Sequence, residues 1–180
     1  MIENITNPMP TPEEIDKAAD VLGRLEPGYL PRPVFDAIVR LIVVSVVELV
    51  PVRTVRGRTE VLLTQREPDD PIWPSMWHNP GSVIRPTDVR PEYADTLARL
   101  LDEELGGTAT SGELAMVGPL HFATTRGWGN AVIYWTVVTG EPKAGRFFDA
   151  QQLPERFVES QRLVVEGAVA HYEQARSRTS

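Results

Sequence analysis

Residues 77–107 read WHNPGSVIRPTDVRPEYADTLARLLDEELGG, and this stretch decides the fold. It opens with a loop that contains Pro80-Gly81 and continues through a linker whose prolines exclude a helix before about residue 91. Residues 94–105 then have the apolar spacing of a helix, which Gly106-Gly107 would end. The stretch therefore predicts a loop–helix–loop unit.

Two acidic residues, Glu103 and Glu104, lie late on this predicted helix. The helix dipole disfavours acids at that end, so a compensating cation is required, either Arg99 one turn earlier or a bound metal ion. Carboxylates suit Mg²⁺ or Mn²⁺, which bridge to substrate phosphates and lower the pKa of an attacking water. We therefore predict that Glu103 and Glu104 are metal ligands.

The stretch resembles the Nudix box of the Nudix hydrolases, G-x5-E-x7-R-E-U-x-E-E-x-G-U, where U is aliphatic. Its second half matches residues 99–106, RLLDEELG, and Trp77-His78-Asn79-Pro80-Gly81 is similar to the entry to the box. The strand ending in LLTQR before the box and the Leu153-Pro154 pair after it also resemble family elements. The resemblance covers roughly residues 35–172.

The chain departs from this pattern at three places. Arg99 lies 18 positions after Gly81, whereas the pattern allows 14, so the loop is longer. The first Glu of the pattern would fall on Pro91, which makes the neighbouring Glu92 the natural substitute. The Glu that follows the Arg in the pattern is Leu100 here, so two of three carboxylates at helical spacing i, i+3 and i+4 are kept.

The resemblance implies a Mg²⁺- or Mn²⁺-dependent hydrolase that cleaves a diphosphate linkage in a nucleoside diphosphate derivative. In this interpretation Glu103 and Glu104 hold the metal, Arg99 orients the helix, Glu92 is a supporting carboxylate and Gly81 brings backbone close to the phosphates. The general base stays open among Glu92, Glu141 and Asp149. The alternative, motivated by Leu100, is a Nudix-fold binding or regulatory module without catalysis.

A further hypothesis concerns the glycine-flanked turn Arg126-Gly127-Trp128-Gly129. Trp128 would stack on a base while Arg126 meets a phosphate. The ordinary interpretation of such a tryptophan is a loop anchor.

Composition bounds the remaining choices. The 180 residues carry a net charge of −7 and no cysteine, which argues against a nucleic-acid polymer as partner and excludes thiolate chemistry. No apolar run reaches the length of a membrane helix, and no secretory signal is visible, so we expect a cytoplasmic protein without a membrane partner. The expected ligand is a small molecule, and a homodimer is an open alternative to a monomer.

The order of predicted elements is helix, strands, helix, strands, helix, which favours an α/β fold: an α/β/α sandwich with a mixed sheet. Residues 1–34 are predicted to be an N-terminal helical extension, and residues 35–180 the Nudix-like domain. Thr11, Pro12 and Glu14 mark the start of the first helix. We expect this helix to dock on its own domain; the alternatives are that it caps a site or packs on another subunit. Residues 38–52 are predicted to form one long or bent strand.

Overall fold

The computed structural model describes residues 8–28 and 30–178. Helix α1, Pro12–Gly23, begins at Thr11 with the predicted capping box: the Thr11 side chain accepts from the Glu14 N–H, and the Glu14 carboxylate accepts from the Thr11 N–H. The helix start is confirmed. Every residue of α1 is exposed, so the expectation that this helix docks on its own domain is wrong. The first seven residues of the predicted extension lie outside the described range.

Helix α2, Arg32–Ile38, corrects the predicted long strand from residue 38. Prolines at its first positions preset the helical φ, and Arg32 pairs with Asp36 one turn later at 2.7 Å. The strand begins only at Val44, after a turn in which Leu41 and Ile42 are exposed. Helix α2 also crosses the predicted boundary between residues 34 and 35. Among the described residues, no helix is long and apolar enough to span a membrane.

The described residues form a seven-stranded mixed sheet at the centre of the fold, in which β1 and β6 run parallel and the other pairs are antiparallel. The strand order is β3-β2-β1-β6-β5, with β4 paired to β1 and β7 to β2. The strands are β1 Val44–Val55, β2 Arg58–Gln65, β3 Trp77–His78, β4 Gly81–Val83, β5 Ala115–Ala123, β6 Trp128–Val137 and β7 Arg146–Asp149. The predicted strands before and after the box are therefore confirmed.

Two apolar clusters cover the two faces of this sheet. Helix α4, Arg162–Ser177, buries Val164, Val165 and Ala168 against one face. Helix α3, Ala94–Arg99, covers the other face, with Leu97 packed into a cluster that includes Leu49 and Leu62. The sheet lies between helical layers, and the predicted α/β/α sandwich is confirmed.

The helix that carries the box residues changes its winding halfway. After α3 the chain continues as a π turn, Leu100–Glu104, closed by a hydrogen bond from the Leu105 N–H to the Leu100 carbonyl at 3.1 Å. A π turn spaces its hydrogen bonds five residues apart, so side chains three and four positions apart no longer share a face as they do in an α-helix. Gly106 then ends the unit at φ +57°, as the sequence predicts.

The long loop before α3 is pinned to the helix by a buried ion pair. Arg99 bonds both oxygens of Asp88, and its Nη2 also donates to the Val83 carbonyl at 3.2 Å. Burial would raise the pKa of Asp88, but hydrogen bonds from Arg99, from the Arg85 N–H and from Thr96 lower it to about 2. The pair thus stays ionised and sets the entry into α3.

Removing this pin should destabilise the whole domain. In Asp88→Asn the partly buried Arg99 guanidinium loses its counter-charge, and the lost charge-assisted hydrogen bonds cost about 1.5 to 3 kcal/mol. Urea unfolding followed by circular dichroism measures this loss. Asp102→Asn, an exposed change in the π turn just after Arg99, is the control and should stay within about 0.5 kcal/mol. Equal stability of the two variants would contradict the assignment.

Candidate functional site

A cavity of about 140 Å³ opens between the start of β1, the β3–β4 segment and the turn between β5 and β6. Helix α2 contributes Phe35 to its wall, and the residues just before α4 contribute Gln161. Its aromatic lining residues are Phe35, Trp73, Phe122 and Trp128, and its titratable lining residues are Glu48, Arg66, His78 and Arg126.

Glu48 lies at the inner wall of this cavity and is 5% exposed. Its Oε2 accepts hydrogen bonds from Asn79 Nδ2 at 2.6 Å and from Gln161 Nε2 at 3.2 Å. Burial raises the pKa of Glu48 to about 8, against the lowering effect of these bonds, and nearby Glu104 raises it further. In most molecules the Glu48 carboxyl group is therefore protonated and uncharged at pH 7.

His78 is a second buried group that stays neutral. Burial lowers its pKa to about 4, and the positive charge of Arg66 adds to the effect. Its Nδ1 lies 2.8 Å from the Asn79 carbonyl and its Nε2 lies 3.2 Å from the Thr64 hydroxyl. This arrangement fits a neutral ring that donates from Nδ1 and accepts at Nε2.

The charged groups of the lining are two arginines gathered around Asp70. Arg66 donates to Asp70 Oδ2 from Nη2 at 2.6 Å and from Nε at 3.1 Å. Arg126 Nη2 lies 3.7 Å from the same oxygen, and its guanidinium lies 4.8 Å from the centre of the Trp73 ring. With Glu48 and His78 neutral, the described titratable residues that line the cavity carry two positive charges at pH 7.

The two predicted metal ligands lie next to each other in the π turn and differ in burial. Glu103 is exposed, whereas Glu104 is mostly buried, within electrostatic reach of Arg66 and Glu48. Burial raises the pKa of Glu104, Arg66 lowers it, and Glu103 raises it. Within residues 8–28 and 30–178, no three His, Asp or Glu side chains form a group that could hold a metal ion.

Leu100, at the position of the missing carboxylate, is a core residue. It is 1% exposed and packs with Leu49, Leu62 and Leu97 beneath the helix. Burying a leucine stabilises a fold by about 2 kcal/mol, so this position serves packing here. The donor set therefore does not fit the divalent ion that the box resemblance implies.

Gly81 lines the cavity and pairs with Glu48 across β4 and β1. A Cβ at this position would lie 2.4 Å from Glu48 Oε2, so any side chain would displace the buried carboxyl group. Glycine is thus required at position 81 because Glu48 occupies the space of a side chain. The sequence motif alone did not give this reason.

Arg99 ties the helix to the long loop through Asp88, whereas the resemblance pointed to Glu92 as the supporting carboxylate. Glu92 is exposed at φ +56°, and its charge acts on Tyr134, which packs in the cluster beneath α3. When the position of the first Glu of the pattern is counted forward from Gly81 instead of back from Arg99, it falls on Thr87, next to Asp88. That count would have pointed to the partner of Arg99.

The two other general-base candidates lie away from the cavity. Asp149 ends β7 and pairs with Arg58 at 3.6 Å, and Glu141 is exposed in the loop before β7. Of the described residues that line the cavity, only Glu48 has a carboxyl group. Its sequence signal was an acid inside the apolar run of β1, where a charge is costly unless it has a function or a partner.

Arg126 and Trp128 do meet at the cavity, as the hypothesis about this turn requires. Trp128 is 54% exposed and stacks on His121 at 4.9 Å with the rings nearly parallel. Gly127 is fixed by a close approach, because a Cβ there would lie 2.4 Å from the Val39 carbonyl. The turn is thus packed against the end of α2.

The buried state of Glu48 predicts a pH-dependent stability. Its folded pKa of about 8 exceeds the ordinary value of 4.5, so the folded chain binds more protons, and the free energy of unfolding falls as pH rises from about 4.5 to 8. Glu48→Gln keeps the shape and removes the titration. The stability of the variant relative to wild type should rise by about 2 to 3 kcal/mol between pH 5.5 and 8. Urea unfolding at both pH values measures it, and a constant difference would contradict a neutral Glu48.

No protein-family model and no curated protein sequence matches this chain. Solved structures do resemble it. The Nudix domain of Shewanella oneidensis NrtR, complexed with ADP ribose, matches with a TM-score of 0.52 and 19% identity over 90% of this chain and 98% of that one. The S. oneidensis NrtR complexed with a 27mer DNA matches with a TM-score of 0.55 and 19% identity, over 72% of this chain and 62% of that one.

The Caenorhabditis elegans Ap4A hydrolase matches with a TM-score of 0.52 and 17% identity, over 73% of this chain and 99% of that one. At such identities the likeness concerns the fold. These neighbours point to the same fold as two features of the chain. One is the mixed sheet between helical layers, and the other is the box segment that leads into α3. The chain has the Nudix fold that its sequence motif predicts.

Proposed function

We propose that this chain binds a nucleoside diphosphate derivative in the cavity between Glu48 and Trp128. The observation that carries the proposal is the charge of the lining: two arginines and two neutral titratable groups, in a chain whose net charge is −7. A positive, aromatic-lined cavity suits a ligand that combines anionic groups with a flat ring.

The proposed roles follow the position of each group. Arg126 meets a phosphate and Trp128 stacks on a ring of the ligand, while Gly81 lets the backbone of β4 border the cavity. Glu48 and Gln161 at the inner wall offer hydrogen bonds to uncharged polar atoms. The ADP ribose bound to the S. oneidensis NrtR domain has this combination of groups, which makes it a suitable probe.

The second candidate is the metal-dependent hydrolase implied by the box, with Mg²⁺ or Mn²⁺ on Glu103 and Glu104. One observation favours it: Glu104 is close enough to Glu48 to raise the pKa of that group, so two carboxyl groups approach each other. A divalent ion carried in by the phosphates would relieve that repulsion. Against it stand the exposed Glu103, the buried Leu100 and the arginine beside Glu104.

One experiment separates the two candidates. Calorimetric titration of the full chain with ADP-ribose in EDTA should give saturable binding, and chromatography should detect no AMP after incubation with Mg²⁺ or Mn²⁺. Glu104→Gln should bind ADP-ribose as tightly as wild type or up to about threefold more tightly, because it removes a negative charge near the arginines.

Glu103→Gln is the matched control, since it makes the same change one residue away at an exposed position. AMP release that requires metal and is lost in Glu104→Gln would establish the hydrolase and overturn the proposed binding module. Absence of binding to ADP-ribose and to a panel of nucleoside diphosphate sugars and dinucleotides would overturn both.

A further inference from the structure

We propose that Arg66 and Arg126 together bind the diphosphate of the ligand directly, in place of a divalent cation. This inference rests on the proposed function and adds how the charge of the ligand is neutralised. The arginine pair is built by the loop between β2 and β3 and by the turn before β6. Neither part belongs to the box helix.

Asp70 holds the pair in position. Its Oδ1 accepts from the Ile72 and Trp73 N–H groups at 3.0 and 2.9 Å, which fixes the carboxylate to its own loop. Its Oδ2 faces both guanidinium groups. The side chain of Asp70 is 7% exposed, and although burial raises its pKa, these hydrogen bonds lower it well below the ordinary range. Two cations thus share one anion within this cluster, while Asp36 lies within electrostatic reach of Arg126 and Glu104 within reach of Arg66.

Arg126 has bonding capacity left over. In the described part of the chain, its Nε and Nη2 are buried without a hydrogen-bond partner. Unpaired buried donors cost free energy, which a phosphate oxygen would recover through charge-assisted hydrogen bonds. Its guanidinium lies 4.8 Å from the ring centre of Trp73, a cation–π contact that holds the group at the cavity wall.

The same groups make a divalent cation unfavourable here. A doubly charged ion entering the cavity would meet two guanidinium groups, and Glu48 has the one carboxyl group among the described residues that line it. Arg66 also lies close enough to lower the pKa of both Glu48 and Glu104. Arg66 therefore already supplies positive charge at the place where the box resemblance expects a metal.

The test is the affinity of the full chain for ADP-ribose, measured by calorimetry with EDTA and with Mg²⁺. Wild type should bind equally under both conditions, within about twofold, and should weaken as salt rises because ionic contacts are screened. Arg126→Gln should weaken binding at least tenfold, and Arg126→Lys should recover only part of the loss because lysine lacks the fork. The control is Arg58→Gln, which removes the same charge from the exposed hairpin tip between β1 and β2 and should stay within twofold.

The outcomes separate this inference from the proposed function. If binding requires Mg²⁺, or if Arg126→Gln binds as tightly as wild type, the proposal that the arginine pair binds the diphosphate is overturned. The proposed function, binding of the ligand in the cavity, would still stand. No binding by wild type under either condition overturns the proposed function and the pair together. The salt dependence of wild type needs no variant, so a salt-independent affinity contradicts the proposal even where Arg126→Gln does not fold.

Discussion

The rest of the site depends on one buried carboxyl group. Glu48 joins three parts of the chain: its own strand β1, Asn79 in the segment before β4, and Gln161 at the start of α4. Its volume demands a glycine at position 81, and its burial keeps it uncharged at neutral pH. The geometry of the cavity wall and the sign of its charge therefore follow from the same group.

That sign is opposite to the charge of the whole chain. Net charge is an average over the surface and does not describe a cavity in which acids are protonated and arginines are held by one shared carboxylate. The cluster of Arg66, Asp70 and Arg126 is local and built from two loops, and its arginines line the same cavity as Glu48. Positive charge and aromatic rings thus coincide in one place, beside a box helix whose third acid has become part of the core.

The sequence predicted the fold because the box is a local pattern with fixed spacing, and the strands around it are strongly apolar. It did not predict helix α2, and it began the first strand at residue 38, whereas the strand begins at Val44. It predicted Glu103 and Glu104 as metal ligands on an α-helix, whereas the chain winds as a π turn there, with Glu103 exposed and Glu104 partly buried. Asp88, Asp70 and Glu48 were missed because their partners lie far along the chain or in loops of variable length, where spacing carries little information.

The central claim is that a nucleoside diphosphate derivative binds in this cavity without metal. The most direct test is to locate the binding site in the absence of metal. Indole N–H signals in ¹H–¹⁵N NMR spectra report each tryptophan separately. With ADP-ribose in EDTA, the signals of Trp73 and Trp128 should shift, since both line the cavity, while Trp135, whose indole donates to His171 at 2.8 Å, should not. Unchanged Trp73 and Trp128 signals, or shifts that appear only when Mg²⁺ is added, would contradict the account.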